Sequence, residues 1–392
     1  MKKFLALTLA LVMSLSLVAC GSKNEEPKTD DTSDTQVEEP TEGAYKIAMI
    51  TDYVDITDQS FNQTTYEACK AFAEDNSIEF NYFKPAGDNT ADRVAMIEKA
   101  VDEGYNVIVM PGYAFGGAIV ETAPKFSDVK FIALDVSAGD LGDGFEVPDN
   151  LYCAVYQEEL CGYMAGYAAV KMGYTKLGFL GGMAVPAVVR YGYGFVQGVD
   201  AAAAETGTEN VTLNYVYGGQ FFGDADITAV MDTWYQHDGV EVVFACGGGI
   251  YTSAVDAAKK ADAKVIGVDV DQAGVIANYA ETEGMTITSA MKGLYPTTYD
   301  TLSDVILNDN WSKYAGQIAT LGLVSADDPE ANYVQIPMGD GTQWCDTFTQ
   351  DDYKAMVKAM YDGELTVSND ITKSPADFAT CIAVEDQGAI KG

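Results

Sequence analysis

The stretch Lys46-Ile47-Ala48-Met49-Ile50-Thr51 is a short apolar run of strand length, and a helical pattern follows it at Ser60–Glu74. The same alternation recurs along the chain. The predicted strands are Lys46–Thr51, Ile78–Phe83, Val107–Met110, Phe131–Leu134, Lys176–Leu180, Val211–Tyr217, Val242–Ala245, Lys264–Val268 and Thr286–Ala290. The predicted helices are Ser60–Glu74, Thr90–Glu103, Glu158–Met172, Gly194–Ala204, Ala225–Tyr235 and Tyr251–Ala261. Short apolar strands that alternate with helices predict parallel sheets with right-handed crossovers.

The alternation runs twice, and the Ala- and Gly-rich helix Glu158–Met172 lies at the junction. We therefore predict an α/β fold of two doubly wound, Rossmann-like lobes. Ligands of such folds bind beyond the carboxyl ends of the strands, which places the predicted ligand cleft between the lobes. The predicted first lobe is 45–153 plus about 294–325, and the predicted second lobe is 154–293 plus about 326–392.

The N-terminal segment has the pattern of a signal peptide over residues 1–19, with two lysines before the apolar run Phe4–Val18. Leu17-Val18-Ala19-Cys20 resembles the bacterial lipobox, which implies cleavage before Cys20 and lipidation of its thiol. Residues 21–44 are rich in Asp, Glu, Thr, Ser and Pro, which predicts a disordered tether. We expect a lipid-anchored protein on the extracytoplasmic face of the cell membrane. An ordinary secretory signal with a chance cysteine is the alternative.

The charge balance excludes several classes of partner and site. Among 392 residues, 59 are acidic and 23 are basic, and the formal net charge is -36. Such a chain repels nucleic-acid polymers and anionic membrane surfaces. A single histidine, His237, excludes multi-histidine metal sites, and no C-x-x-C pair is present. We therefore predict neither a metal nor a cofactor, while disulfides among the six cysteines after Cys20 stay open.

Charged and small residues follow the predicted strands at the edge where a ligand would bind. They are Asp52, Gly112, Asp135, Gly247, Asp269 and Lys292. Carboxylates accept hydrogen bonds from hydroxyls and an ammonium donates to oxygens, so the set suits a diol. The alternative for each aspartate is that it merely caps the next helix.

Two loops supply aromatic candidates. Asp58-Gln59-Ser60-Phe61-Asn62 opens the first helix, where Asp58 or Ser60 can cap it and Asn62 offers both a donor and an acceptor. Gly218–Asp224 carries Phe221 and Phe222 between a strand and a helix. Exposed aromatic rings on such loops suit stacking on a base, whereas a core or hinge position is the alternative.

These motifs resemble those of the basic membrane protein family of PnrA-like receptors, from about Tyr45 to the end of the chain. Asp52 with Asp58-Gln59-Ser60-Phe61-Asn62 is similar to the family's opening motif, and Glu158–Ala169 is similar to its second. The remaining matches are Leu177–Met183, Gly194-Phe195, Gly198-Val199, Ile266–Asp269 and Thr288–Lys292.

The resemblance implies a type I periplasmic-binding-protein fold and a monomer that delivers nucleosides, purine nucleosides first, to the permease and ATPase of an ABC importer. It implies a base held between Phe61 and Phe222 or Phe221, with Phe222 preferred for its spacing to Asp224. The other implied roles are base-edge contacts from Asp52 and Asn62, ribose contacts from Asp135, Asp269 and Lys292, and a backbone contact from Gly247.

Three features depart from the family pattern and leave the base preference open. Asp55-Ile56-Thr57 replaces a Gly-rich stretch, Gln59 stands where Lys or Arg is common, and the phenylalanine at 221–222 is doubled. A sugar-binding or ligand-sensing lipoprotein of the same fold is the alternative function. An enzyme such as a nucleoside hydrolase is disfavoured, because the aspartates are dispersed one per strand end without a nucleophile or metal motif.

Overall fold

The computed structural model describes residues 45–391. The predicted signal peptide, Cys20 and the tether lie outside this range. The strands are β1 (Lys46–Ile50), β2 (Glu79–Phe83), β3 (Val107–Pro111), β4 (Lys130–Leu134), β5 (Leu151–Tyr156), β6 (Lys176–Gly181), β7 (Thr212–Tyr217), β8 (Val242–Cys246), β9 (Lys264–Asp269), β10 (Thr286–Lys292), β11 (Gln317–Leu321), β12 (Val334–Gln335) and β13 (Ala383–Ala389). The α-helices are α1 (Phe61–Asn76), α2 (Thr90–Asp102), α3 (Gly116–Thr122), α4 (Ala138–Leu141), α5 (Glu158–Lys171), α6 (Pro186–Thr206), α7 (Ala225–Thr233), α8 (Tyr251–Ala261), α9 (Ala273–Ala280), α10 (Leu294–Ile306) and α11 (Gln350–Tyr361).

The strands form two sheets. The first has the order β11-β5-β4-β3-β1-β2, and all of its pairs are parallel. The second has the order β12-β10-β9-β8-β6-β7-β13, and only the short β12 runs antiparallel to its neighbour. Helices cover both faces of each sheet, which is why strands such as β3 and β8 are buried along their whole length. The predicted fold class of two doubly wound lobes is confirmed.

The chain passes between the two sheets three times. It leaves the first sheet after β5, returns after β10, and leaves again after β11 for β12. Helix α10 then packs against α1, whereas α5 packs against α6 and β10. The carboxyl ends of β1, β3 and β4 therefore face those of β8, β9 and β10 across one cleft.

Most predicted elements begin and end within one or two residues of the observed ones, and α6 is the main exception. The sequence pattern predicted a helix at Gly194–Ala204, but α6 begins at Pro186. Proline at the first helical position is compatible with a helix start, because its missing N–H would have no intrahelical partner there. Gly192, Gly194 and Gly198 all lie inside the helix.

Those glycines allow α5 and α6 to pack backbone against backbone. A Cβ atom on Gly162 would overlap the carbonyl of Tyr191, and one on Gly194 would overlap the carbonyl of Glu159. Gly166 and Gly198 make the same kind of contact further along the pair. The close approach holds the first turn of α5 and the middle of α6 in fixed positions, and both contribute to the site described below.

No helix within residues 45–391 combines the length and apolar character needed to cross a bilayer. The six cysteines in this range are free thiols in the structure, four of them buried.

We expect Gly194→Ala to lower the free energy of unfolding by about 1–3 kcal/mol, because the added methyl group must push the two helices apart. Gly274→Ala is the matched control, since Gly274 is exposed on α9 and a Cβ there would meet no atom within 4 Å. The control should be neutral or stabilising by up to about 1 kcal/mol, because alanine favours the helix. Urea denaturation of both variants measures the difference, and equal stabilities would contradict the packing described for α5 and α6.

Candidate functional site

The cleft between the two sheets encloses about 770 Å³ of empty space, part of it open to solvent. Its walls carry eight of the nine predicted binding residues. They are Asp52, Phe61, Asn62, Asp135, Phe221, Gly247, Asp269 and Lys292. Gly112, also predicted at a strand end, lines the same cleft. Strand-end position alone therefore located six lining residues, Asp52, Gly112, Asp135, Gly247, Asp269 and Lys292, although ligand contacts stay predictions.

Lys292, the last residue of β10, lies at the centre of the charged groups. Its Nζ is 2.5 Å from Oδ2 of Asp135, 3.5 Å from Oε1 of Glu158 and 3.7 Å from Oδ1 of Asp269. The ammonium also lies 4.8 Å from the ring centre of Phe61. One cation thus joins carboxylates from the first sheet, the second sheet and helix α5.

Burial and charge act in opposite directions at this cluster. Burial alone would lower the pKa of Lys292, but the carboxylates of Asp135, Asp269 and Glu158 outweigh it and raise the pKa. The ammonium therefore stays protonated at neutral pH. Burial raises the pKa of Asp269 and of Glu158, although Lys292 counters the effect at both and Arg190 counters it at Glu158.

The backbone aims two of these carboxylates. Asp135, directly after β4, has φ 58°, and Asp269, at the end of β9, has φ 64°. Both values lie in the left-handed region, which aspartate tolerates better than most residues. This turn of the chain directs the two side chains toward Lys292 at the carboxyl edges of their sheets.

Asp58 organises the start of α1. Its Oδ1 accepts from the backbone N–H groups of Ser60 and Gln63, both at 3.0 Å, and its Oδ2 accepts from that of Asn62 at 2.8 Å. Of the two predicted capping residues, Asp58 therefore fills the role, and Ser60 makes no capping bond with its side chain. The cap places Phe61 on the first turn, facing the cleft.

The same carboxylate fixes the orientation of Asn62. Its Nδ2 donates to Oδ2 of Asp58 at 3.2 Å, while its Oδ1 is buried without a hydrogen-bond partner among residues 45–391. Asn62 therefore presents an acceptor. Asp52 lies nearby, where its Oδ1 accepts from the N–H groups of Tyr53 at 2.6 Å and Val54 at 2.9 Å. Burial raises the pKa of the Asp52 carboxyl.

The doubled phenylalanine divides between two environments. Phe221 lines the cleft, and its ring packs against the backbone of Gly182 and Gly247, where a Cβ would overlap or crowd it. Phe222, preferred from its spacing to Asp224, does not line the cleft, and 53% of its surface is exposed. Asp224 caps α7 instead, by accepting from the N–H groups of Asp226 and Ile227. We therefore replace Phe222 with Phe221 as the stacking candidate.

Sequence reasoning missed several polar residues at the site, three of them beside the charged cluster. Arg190 and Tyr191, both on α6, line the cleft, and Glu158 is fully buried at the first turn of α5. Nε of Arg190 donates to Oε2 of Glu158 at 2.6 Å. Arg190 is thus a second basic residue at the site, beside Lys292. Only the scarcity of arginine in the chain could have singled it out.

No group of three or more His, Cys, Asp or Glu within residues 45–391 is arranged to hold a metal ion. Five aspartates and two basic residues line the cleft. Both basic residues already pair with carboxylates. The cleft is therefore an acceptor-rich site that aromatic rings also line.

Lys292→Met should lower the free energy of unfolding by about 3–5 kcal/mol, because it leaves buried carboxylates without their cation. The folded-state pKa values of Asp269 and Glu158 would rise further above their unfolded values. The variant therefore keeps most of its stability at low pH, where these carboxyls are protonated, and loses it as pH rises through their raised pKa values. The difference in free energy of unfolding from the unsubstituted protein should be smaller at pH 5 than at pH 8. Urea midpoints at the two pH values measure it.

Lys313→Met is the control for this experiment, since Lys313 pairs with Asp304 but is 58% exposed. It should change stability by no more than about 1 kcal/mol at either pH. A loss for Lys292→Met that did not depend on pH would contradict the electrostatic account.

Residues 45–326 match the family model described as "ABC transporter substrate-binding protein PnrA-like". A "CD4+ T-cell-stimulating antigen" of Listeria innocua is 28% identical over 309 residues, which cover 74% of this chain and 80% of that protein. The "ABC transporter nucleoside-binding protein BmpA" of Lactococcus lactis is 26% identical over 285 residues, covering 69% and 75% of the two chains.

Among solved structures, an ABC transporter solute-binding protein of Aeropyrum pernix K1 superimposes with a TM-score of 0.63 at 20% identity. The match covers 85% of this chain and 90% of that one. It confirms the type I periplasmic-binding-protein fold. The family model spans most of the described chain, and the protein belongs to the PnrA-like family of ABC transporter substrate-binding proteins.

Proposed function

We propose that this protein binds nucleosides in the cleft between its lobes, with purine nucleosides such as adenosine, guanosine or inosine preferred. One observation carries the proposal: aromatic rings from both lobes, Phe61 and Phe221, line the same cleft as a cluster of carboxylates around Lys292. A nucleoside joins a flat apolar ring to a diol, so it matches both halves of this arrangement. The relative from Lactococcus lactis, named as nucleoside-binding, supports the same ligand class.

The base would lie by the two phenylalanines. Stacking on an aromatic side chain contributes about 1–3 kcal/mol per base. Phe61 is on the first turn of α1 and Phe221 is on the loop after β7, so a base between them would contact both lobes. Oδ1 of Asn62, which has no hydrogen-bond partner among residues 45–391, and the carboxylate of Asp52 would accept from N–H groups at the edge of the base.

The ribose would lie by the charged cluster. Oδ1 of Asp135 and Oε1 of Glu158 are buried without hydrogen-bond partners among the described residues, although Lys292 is near both groups. Hydroxyl donors of a sugar would satisfy such acceptors, and charge-assisted hydrogen bonds contribute about 1.5–3 kcal/mol each. In this proposal Asp135 and Asp269 accept from the ribose hydroxyls, Lys292 donates to their oxygens, and Gly247 offers a backbone contact.

The chemistry of the cleft favours binding without catalysis. A lysine acts as a nucleophile or base only when its amine is neutral, whereas the carboxylates raise the pKa of Lys292 and keep it charged. His237 is exposed in the segment Trp234–Asp238 and is absent from the residues that line the cleft. We propose that the ligand leaves unchanged, to a permease that an ATPase drives.

The proposed location follows from the N-terminal sequence. Lipidation at Cys20 would hold a monomer at the extracytoplasmic face of the cell membrane, with residues 21–44 as a tether. The membrane contact would then be the lipid alone.

A thermal-shift screen tests the ligand class. We expect the largest stabilisation from a purine nucleoside, a smaller one from the free base, and less from a hexose, which lacks a flat aromatic ring to stack on the phenylalanines. A nucleoside 5′-monophosphate should stabilise less than its nucleoside, because five aspartates line the cleft and both basic residues are paired. A ligand that binds only the folded protein raises its unfolding temperature when the ligand concentration exceeds Kd.

Equal stabilisation by a hexose and the best nucleoside would favour the sugar-binding alternative and defeat the nucleoside proposal. Chromatography of the recovered ligand decides between binding and hydrolysis, since free base and ribose would appear only if the protein cleaved the glycosidic bond.

Paired titrations of two variants separate the halves of the site. Asp135→Asn should weaken nucleoside binding by about 10- to 100-fold and free-base binding by no more than about threefold, because it removes a charged acceptor for the ribose. Phe61→Leu should weaken both ligands by a similar factor, since stacking does not depend on the sugar. Titration calorimetry of each variant with a nucleoside and with its free base gives the four dissociation constants.

Asp340→Asn, at an exposed position outside the cleft, is the charge-matched control and should bind both ligands normally. If Asp135→Asn weakened both ligands equally, Asp135 would not contact the sugar.

A further inference from the structure

We propose that Ser60 and Gln272 form a latch between the lobes. Their hydrogen bonds join one lobe of the chain to the other and favour the closed cleft whether or not a ligand is bound. The inference rests on the role of the cleft in ligand binding, but it does not depend on the ligand being a nucleoside. In this proposal the two residues are positioning residues: they place Phe61 and Asn62 against the second lobe without contacting the ligand.

Gln272 makes the first latch contact from the second lobe. Its Nε2 donates across the cleft to the backbone carbonyl of Gln59, at 3.1 Å. Its Oε1 accepts from the N–H of Val268 at 2.9 Å, and its own N–H donates to Oγ of Ser289 at 3.1 Å. Gln272 is fully buried, and these bonds within its own lobe hold its side-chain amide in the orientation that contacts the other lobe.

The side chain has room because the neighbouring strand residue is a glycine. A Cβ atom on Gly267 would lie 2.9 Å from the Cβ of Gln272 and 3.1 Å from its Oε1. On the opposite side, Gln59 has φ 56°, a left-handed conformation. Such a conformation in a non-glycine residue persists where surrounding contacts favour it, and the bond from Gln272 is one such contact.

Ser60 makes the second latch contact from the first lobe. Its Oγ donates to Oδ2 of Asp269 at 2.6 Å, and both residues are buried. A buried hydrogen bond to a carboxylate is among the stronger single contacts in proteins. Because Ser60 directly precedes α1, this bond fixes the position of the first turn of α1, which carries Phe61 and Asn62.

The two carboxylate oxygens of Asp269 contact different groups. Oδ2 accepts from Ser60, whereas Oδ1 lies 3.4 Å from the hydroxyl of Tyr191 and 3.7 Å from Nζ of Lys292. The latch therefore uses the oxygen that faces α1 and leaves the other on the Lys292 side. Both partners of each latch bond belong to the protein, so the bonds contribute to closure whether or not a ligand is bound.

A ligand held by both lobes binds the closed form, so its apparent Kd equals the intrinsic Kd divided by the closed fraction. The latch raises that fraction for every ligand alike. Loss of one bond should then raise Kd by a common factor of about ten across ligands, mostly through faster dissociation. A residue that contacts the ligand would change affinities selectively.

The experiment measures the distance between the lobes in ligand-free protein. Spin labels are attached to unnatural amino acids at Asp102 and Ala261, which are exposed and lie one in each lobe. Electron paramagnetic resonance then measures the distance between the two labels. The full chain is compared with Ser60→Ala, Gln272→Met and the double variant. We expect a closed population in the unsubstituted protein that falls in each single variant and falls further in the double variant.

Gln343→Met is the matched control. Its Nε2 donates to the carbonyls of Gly284 and Thr286, both at 2.9 Å, and all three residues lie in the second lobe. It loses hydrogen bonds of the same chemistry without touching the contact between lobes. It should shift the unfolding temperature but leave the distance distribution unchanged, which separates a latch from a general loss of stability.

The inference is overturned if the ligand-free protein lacks the closed population, or if Ser60→Ala and Gln272→Met give the distribution of the unsubstituted protein. If the distribution shifts while no nucleoside stabilises the protein, the latch is supported and the nucleoside proposal fails. If nucleosides bind and the distributions are identical, the nucleoside proposal is supported and the latch is wrong.

Discussion

The ammonium of Lys292 is the interaction on which the arrangement of the cleft depends. Asp135 belongs to the first sheet, Asp269 to the second, and Glu158 to the first turn of α5, and the ammonium lies within 3.7 Å of an oxygen of each. Carboxylates buried so close together repel one another, and they stay ionised only where a cation offsets that repulsion. Arg190 completes the balance from α6, at 2.6 Å from Glu158. The packed helix pair α5 and α6, the two sheet edges and the aromatic wall thus meet at one charged group.

A residue's place along its strand predicted much of this site. Asp52, Asp135, Asp269 and Lys292 each follow or end a parallel strand, and the carboxyl ends of such strands lie at one edge of the sheet. Each aspartate taken alone also fitted the role of a helix cap. The topology places these strand ends opposite each other in the cleft, while contact with a ligand stays a prediction.

Other parts of the site had no comparable signal. Glu158 lies within a predicted helix, where a charged residue usually faces solvent, and Arg190 lies before the predicted start of its helix. The close packing of α5 on α6 buries Glu158 and leaves Arg190 only partly exposed. Glycines are poor helix formers, but those of α6 are required by the close approach of the neighbouring backbone. The choice between Phe221 and Phe222 depended on the local loop geometry, which spacing to a capping aspartate does not report.

The C-terminal elements were beyond prediction for a related reason. Strands β11, β12 and β13 are short or carry polar residues, as edge strands commonly do, so they lack the continuous apolar run of a central strand. Their place in the two sheets comes from pairing with β5, β10 and β7.

The position of β11 has a consequence for how the chain folds. This strand completes the edge of the first sheet by pairing with β5, yet the whole stretch from α5 to α10 lies between the two in sequence. Pairing of strands so distant along a chain closes a long loop, which slows folding. The first sheet is therefore incomplete until the strands of the second have been synthesised. The two lobes, which have separate sheets, are thus linked in the kinetics of their assembly.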